Sequence, residues 1–85
     1  TETIEIYPSE ISVLREDPNG KIISWSANPY WAKSNLYNRN GLVEDYLTLK
    51  GNGREIELGA FLTPEERRSI KIKIDATLEK IKSKN

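Results

Sequence analysis

The sequence contains no cysteine, no histidine and no methionine. Without cysteine the chain forms no disulfide, offers no thiolate nucleophile and binds no metal through sulfur. Without histidine it lacks the commonest general base and a common metal ligand. We therefore predict a protein that is not an enzyme, with no catalytic residues, no cofactor and no metal site; oxygen ligation of Mg²⁺ or Ca²⁺ by carboxylates is the one remaining route to a metal centre.

Net charge and long apolar runs are also missing. Thirteen Lys and Arg balance 13 Asp and Glu, whereas dedicated nucleic-acid binders usually carry a basic excess. No apolar run approaches the ~18 residues that a membrane-spanning helix requires, and no signal-peptide pattern opens the chain. The 85 residues, 36% of them hydrophobic, predict one small soluble domain that covers residues 1–85.

The first two-thirds of the chain alternate apolar and polar residues, which is typical of antiparallel strands. The segment Asp17-Pro18-Asn19-Gly20 suits a type I turn followed by a left-handed glycine. This turn places Val13 opposite Trp25 and Ile11 opposite Ala27, so apolar residues face each other. The turn and the hydrophobic pattern therefore predict the same hairpin.

A second hairpin is predicted around Asn52-Gly53, the favoured pair for a two-residue type I′ turn. Its register pairs Leu49 with Ile56, Leu47 with Leu58 and Lys50 with Glu55. Between the two hairpins Pro29 marks a break, because it cannot donate to a strand ladder. The cluster Asn38-Arg39-Asn40-Gly41 is typical of a turn.

The last third predicts an amphipathic helix over about residues 64–82. Thr63 caps it, Pro64 takes the first helical position and Glu66 closes a capping box. One apolar stripe, with Ile72 on the opposite side, runs through Ile70, Ile74, Leu78 and Ile81. The basic residues of the helix fit a solvated face or, alternatively, a surface turned toward anionic lipid; they are Arg67, Arg68, Lys71, Lys73, Lys80, Lys82 and Lys84.

These patterns predict an α+β fold: an antiparallel sheet of about five strands between about residues 3 and 58, with one C-terminal helix packed on it. Three pairs of adjacent carboxylates are better explained by turns and the helix start than by acid–base chemistry, because neighbours on a strand point apart. They are Glu16-Asp17, Glu44-Asp45 and Glu65-Glu66.

An aromatic cluster is the main candidate binding surface. Trp25 fits the core, whereas Tyr30, Trp31 and Tyr37, with Lys33 nearby, could contact a partner. Aromatic residues next to bases can also stack on single-stranded nucleic acid or a nucleotide, which makes segment 25–37 the basis of the alternative function. Sheet core and cross-strand pairing remain a third explanation.

Two sequence blocks carry a family resemblance. The first is Trp25-Ser26-Ala27-Asn28-Pro29-Tyr30-Trp31, and the second runs from Gly53 to Arg67. The second block matches the pattern Gly-Arg-x-x-Glu-x-Gly-x-Phe-Leu-x-Pro-x-Glu-Arg at Gly53, Arg54, Glu57, Gly59, Phe61, Leu62, Pro64, Glu66 and Arg67. Over about residues 10–82 the chain resembles an uncharacterised bacterial family of integral membrane proteins, domain of unknown function 2244.

The resemblance implies a membrane anchor, because family members typically carry a transmembrane hairpin before this region. The chain, which lacks that hairpin, fits a soluble fragment or a variant without an anchor. We therefore expect a domain on the cytoplasmic side of the inner membrane if an upstream segment anchors it, and otherwise a cytoplasmic one. Its fold is expected to be pleckstrin-homology-like by analogy, and its function to be binding of a protein partner or a second copy near the membrane.

Overall fold

A computed structural model describes residues 1–40 and 43–83. The chain forms six strands, a short 3₁₀ helix and one long helix. The strands are β1 (Glu2–Ile6), β2 (Ile11–Glu16), β3 (Ile22–Ala27), β4 (Lys33–Asn40), β5 (Val43–Gly51) and β6 (Arg54–Leu58). The 3₁₀ helix spans Pro29–Trp31, between β3 and β4, and helix α1 spans Pro64–Lys82.

The first sheet is antiparallel, in the order β1-β2-β3. Its register confirms the first predicted hairpin, with Val13 opposite Trp25 and Ile11 opposite Ala27. Gly20 adopts a φ of 89°, and its amide donates to the Asp17 carbonyl at 2.9 Å. Glycine adopts this left-handed conformation without a steric penalty, which explains why the turn closes at Gly20.

The second sheet is also antiparallel, in the order β4-β5-β6. Asn52 and Gly53 both have positive φ angles, 53° and 76°, as a type I′ turn requires. The predicted register is confirmed at Leu49–Ile56, Leu47–Leu58 and Lys50–Glu55.

Helix α1 begins with the predicted capping box. The Glu66 amide donates to the Thr63 hydroxyl at 3.2 Å, and the Thr63 amide donates to the Glu66 carboxylate at 2.9 Å. Ile74 and Leu78 are buried, and Ile72 is 69% exposed, as the helical pattern predicts. The helix contacts β4, β5 and the 3₁₀ helix.

The core lies between the inner faces of the two sheets and under the helix. Its buried apolar residues are Ile11, Val13, Trp25, Ala27, Ala32, Leu47, Leu49, Ile56, Leu58, Ile74 and Leu78. The Trp25 indole N–H donates to the Arg54 carbonyl at 3.2 Å and so connects the sheets. The Arg54 guanidinium returns a weaker hydrogen bond of 3.4 Å to the Ser24 carbonyl.

The expected sheet of about five strands is instead six strands in two three-stranded sheets. The 3₁₀ helix Pro29–Trp31 separates β3 from β4, and no pairing between these two strands occurs in the described residues. Each sheet therefore forms from neighbouring strands, and the two sheets bury their apolar faces by packing against each other.

Three local expectations are corrected. Residues 38–40, predicted as a turn, continue β4, and Gly41 lies outside the described residues. Asp45, explained from the sequence by a neighbouring turn, lies within β5, where it is buried and pairs with Arg68. Arg67 is not part of a solvated face: it is 7% exposed, and its guanidinium donates to the backbone carbonyls of Gly59 and Ala60.

Candidate functional site

The aromatic segment begins with a firmly held turn. The Asn28 side chain accepts a hydrogen bond of 2.9 Å from the Tyr30 amide, and the Asn28 carbonyl accepts one of 3.0 Å from the Trp31 amide. Pro29 is fully buried, and so is Ala32 on the other side of the turn. The backbone on both sides of the two exposed aromatic residues is therefore anchored in the core.

Trp31 is 76% exposed, a larger fraction than for any other large apolar residue that the structure describes as exposed. Trp25, six residues earlier, is only 2% exposed. The alternation of β3 turns Trp25 inward, whereas the 3₁₀ turn holds the Trp31 indole in solvent. Tyr30, beside it, lies at the surface and keeps a larger share of its side chain covered.

Lys33, the first residue of β4, lies directly opposite Lys50 of β5. Both side chains are exposed, and neither forms an ion pair with another described residue. Like charges facing each other across two strands repel, so this pair creates a local excess of positive charge two residues after Trp31. The sequence pattern predicted that Lys50 pairs with Glu55 of β6, but it did not predict that Lys50 also lies opposite Lys33 of β4.

Tyr37 shares the outer face of β4 with Lys33, but the two residues are about 13 Å apart along the strand. The Tyr37 ring packs against Tyr46, with a centroid distance of 6.0 Å. Its hydroxyl donates to the Glu55 carboxylate at 2.9 Å. The same carboxylate oxygen accepts a hydrogen bond of 2.6 Å from Thr48.

These contacts change the acidity of both groups. The hydroxyls of Thr48 and Tyr37 stabilise the Glu55 carboxylate and lower its pKa below the ordinary value of 4.5. The hydrogen bond to Glu55 raises the pKa of Tyr37 above 10.0. Tyr37 therefore belongs to a polar cluster on the second sheet. Of the four predicted partner-binding residues, Tyr30, Trp31 and Lys33 are exposed near one another, and Tyr37 lies apart from them.

A second polar cluster joins the helix to β4. The Ser34 hydroxyl donates to the Asp75 carboxylate, and the Lys71 ammonium donates to the Ser34 hydroxyl at 2.9 Å and to Asp75 at 2.8 Å. A serine next to a lysine can act as a nucleophile with a base. Here Ser34 is buried and Lys71 is bound to a carboxylate, so the cluster has the arrangement of a structural tether.

Metal ligation and membrane insertion each require a recognisable arrangement of residues. Among residues 1–40 and 43–83, no group of three or more acidic side chains is positioned to hold a metal ion. In the same residues, no helix has both the length and the apolar character to cross a bilayer.

Comparison with known protein families places the chain in a family. A family model described as "Integral membrane protein (DUF2244)" matches residues 1–78. No curated protein matches the chain significantly, and neither does any solved structure.

Proposed function

Because the chain belongs to the DUF2244 family of integral membrane proteins, we propose that it is an interaction domain that works beside a membrane. It binds a protein partner, or a second copy of itself, through the exposed side chains of Tyr30, Trp31 and Lys33 in the segment Tyr30–Lys33. One observation carries this proposal: Trp31 is fixed in solvent, with 76% of its surface exposed, by a turn whose neighbours Pro29 and Ala32 are buried. Tryptophan is the residue most enriched where protein interfaces gain their binding energy.

Two further features support a protein partner. The turn is rigid, so little conformational freedom is lost when it binds. The adjacent lysines, Lys33 and Lys50, form no ion pair with a described residue and can pair with acidic side chains at the rim of an interface. Tyr37, predicted as part of this surface, adds to it as a flanking residue bound to Glu55.

The experiment measures association and stability together. Sedimentation of the 85-residue chain over a concentration series is compared for the wild type and Trp31→Ala, and thermal melting checks the fold. We expect the substitution to weaken self-association while the melting temperature stays the same. Ile72→Ala is the matched control, because Ile72 is 69% exposed on the opposite side of its helix stripe. If Trp31→Ala melts the domain, Trp31 has a structural role and the proposal is wrong.

Single-stranded nucleic acid is the alternative ligand, and the pairing of Lys33 with Lys50 favours it. Phosphates could bind these ammonium groups while a base stacks on Trp31. Glu55 lies beside Lys50 on the same outer face and repels phosphate, which is why a protein partner ranks first. Titration of a labelled oligothymidylate, followed by anisotropy at two salt concentrations, distinguishes the two functions.

The proposal includes no catalytic activity. The Ser34 hydroxyl, which has a basic neighbour, is 4% exposed, and its hydrogen bonds to Lys71 and Asp75 of helix α1 disfavour attack on a substrate. Calorimetric titration with Mg²⁺ and Ca²⁺ is the test, and tight binding of either ion would reopen the case for an enzyme.

We further propose that the domain lies on the cytoplasmic side of the inner membrane in a protein that carries an upstream anchor. We also propose that the two antiparallel sheets and the C-terminal helix form a pleckstrin-homology-like fold, which an experimental structure would test. Reporter fusions at the C-terminal end of the full-length protein, one active only in the cytoplasm and one active only outside it, test the location.

A further inference from the structure

The turn between β6 and α1 is held by side chains from two other parts of the fold. Arg67 donates from Nε to the Gly59 carbonyl at 2.8 Å and from Nη2 to the Ala60 carbonyl at 3.0 Å. Glu2, at the start of β1, accepts a hydrogen bond of 3.0 Å from the Gly59 amide. Within the turn, the Leu62 amide donates to the Gly59 carbonyl at 3.0 Å. The backbone of residues 59–62 is therefore fixed.

The conformation of Gly59 strengthens this restraint. Its φ is 61°, and a Cβ at this position would lie 2.9 Å from a methyl carbon of Leu62. The Leu62 side chain thus packs directly against Gly59 within the turn. All of these contacts involve residues on either side of Phe61, which takes no part in them.

Phe61 is 71% exposed at the tip of this fixed turn. The core does not use its ring, since it is absent from the buried apolar cluster. A large aromatic side chain on a rigid backbone is well suited to be an anchor, because it can bury a large apolar area at a small cost in conformational entropy.

An open groove of about 570 Å³ lies beside Phe61. Apolar surface comes from Pro18, Ala60 and Phe61, and the remaining lining is mostly acidic. The groove is lined by Thr1, Arg15, Glu16, Asp17, Pro18, Glu57, Ala60 and Phe61. We call it the Phe61 groove.

The charges of the Phe61 groove select the partner. Arg15 is the basic side chain of the lining, and its Nε lies 3.5 Å from the carboxylate of Asp17. Glu16 and Glu57 form no ion pair with any described residue. The Thr1 ammonium donates to the Glu16 carbonyl at 3.0 Å, and the Arg15 guanidinium donates to the Glu57 carbonyl at 3.3 Å. Three carboxylates against these two cations leave the groove with one net negative charge beside its apolar surface, an arrangement that disfavours an anionic bilayer.

We infer that the Phe61 groove binds a segment of a partner protein that carries both apolar and basic side chains. An apolar side chain of the partner packs on Phe61, Ala60 and Pro18, and Lys or Arg side chains pair with Glu16 and Glu57. This surface is separate in sequence from the Tyr30–Lys33 segment, so the inference stands or falls independently of the proposed function.

Two labelled decapeptides serve as probes, one of alternating Leu and Lys and one of alternating Leu and Glu. Each is titrated against the 85-residue chain by fluorescence anisotropy, and the ¹⁵N-labelled chain is followed by NMR. We expect saturable binding of the Leu–Lys peptide alone, with amide shifts concentrated at residues 15–17 and 57–61. Binding of both peptides alike, binding of neither, or shifts centred on Trp31 would overturn the inference.

Substitutions identify the residues responsible. Phe61→Ala should weaken binding of the Leu–Lys peptide about tenfold or more, and Glu16→Gln should weaken it less and reduce its dependence on salt. Phe61→Leu, which keeps an apolar side chain, should retain part of the affinity. Ile72→Ala is the control for loss of an exposed apolar residue and should change nothing.

Other occupants of the groove give different results. If Phe61→Ala abolishes binding to anionic vesicles, or abolishes concentration-dependent dimerisation in sedimentation, the occupant is a bilayer or a second copy and the inference is wrong. An unchanged peptide affinity in Phe61→Ala, with an unchanged melting temperature, would also overturn it.

Discussion

Gly51 lies against Ala27 where the end of β5 meets β3. A Cβ built on Gly51 would be 2.9 Å from the Cβ of Ala27, closer than two unbonded carbon atoms approach in proteins. Trp25 Cζ2 would lie 3.4 Å from the same position. The two sheets can therefore pack at this distance only because residue 51 has no side chain.

Replacement of Gly51 by Ala should destabilise the domain by about 1–3 kcal/mol, the usual range for overpacking of a core. The closest contact of the added methyl group is with the Ala27 methyl. The double variant Gly51→Ala/Ala27→Gly should therefore lose less free energy of unfolding than the two single variants lose together. Urea denaturation of all four proteins gives the coupling energy. A coupling energy near zero would show that the sheets move apart instead.

Trp25→Ala should cost about 3–5 kcal/mol, because it empties a core site and removes the hydrogen bond to the Arg54 carbonyl. This loss is a large fraction of the stability of a small domain. Trp31→Ala is the matched control and should change stability by less than about 0.5 kcal/mol. Circular dichroism in denaturant compares the two without relying on tryptophan fluorescence; equal effects would contradict the assignment of one indole to the core and one to the surface.

Arg67→Lys should destabilise the domain by about 2–3 kcal/mol, although the charge is kept. A lysine cannot reproduce the two donors that bind the carbonyls of Gly59 and Ala60, and a buried charge would then keep fewer hydrogen bonds. Arg68→Lys, on the adjacent and more exposed position, should cost less than about 1 kcal/mol. The denaturation midpoints of the two variants test this, and a larger effect at Arg68 would refute it.

Glu55 should make stability depend on pH in the acid range. The Thr48 and Tyr37 hydroxyls lower the pKa of Glu55 in the folded protein, whereas in the unfolded chain the carboxyl titrates near its ordinary value. The stabilisation is therefore fully present above about pH 5 and is lost as the pH falls through the lowered pKa.

The measurement compares the wild type with Glu55→Gln in urea at a series of pH values. We expect a constant difference in the free energy of unfolding above about pH 5 that shrinks toward zero in acid. Tyr37→Phe, which removes one of the two donors, should reduce the difference. A difference that stays the same at every pH would mean that the Glu55 charge contributes nothing.

Local features of this fold follow from the sequence because their causes act over a few residues. Asn52-Gly53 specifies its turn through two positive φ angles, and that turn places Leu47 opposite Leu58. Thr63 and Glu66 start the helix through their own hydrogen bonds. The family could also be recognised, because its two blocks have specific residues at fixed spacing.

Long-range features depended on the tertiary structure. The alternating pattern shows which residues share a face of a strand, but not whether that face meets a second sheet, a helix or water. The strands therefore separate into two sheets only because both apolar faces need covering. For the same reason, Trp31 could be placed in solvent and Phe61 recognised as an unused aromatic only once their surroundings were known.

For two charged residues, Arg67 and Asp45, the sequence likewise predicted the position in the chain but not the burial. The sequence by itself determined that Arg67 lies in the first turn and a half of a helix that begins at Pro64, where exposure is the usual state of arginine. Only the tertiary structure decided that it is buried, because the carbonyls of Gly59 and Ala60 come within reach of its guanidinium when the turn folds back. Asp45 likewise is buried because helix α1 brings Arg68 to it, a contact between residues 23 positions apart that no local pattern encodes.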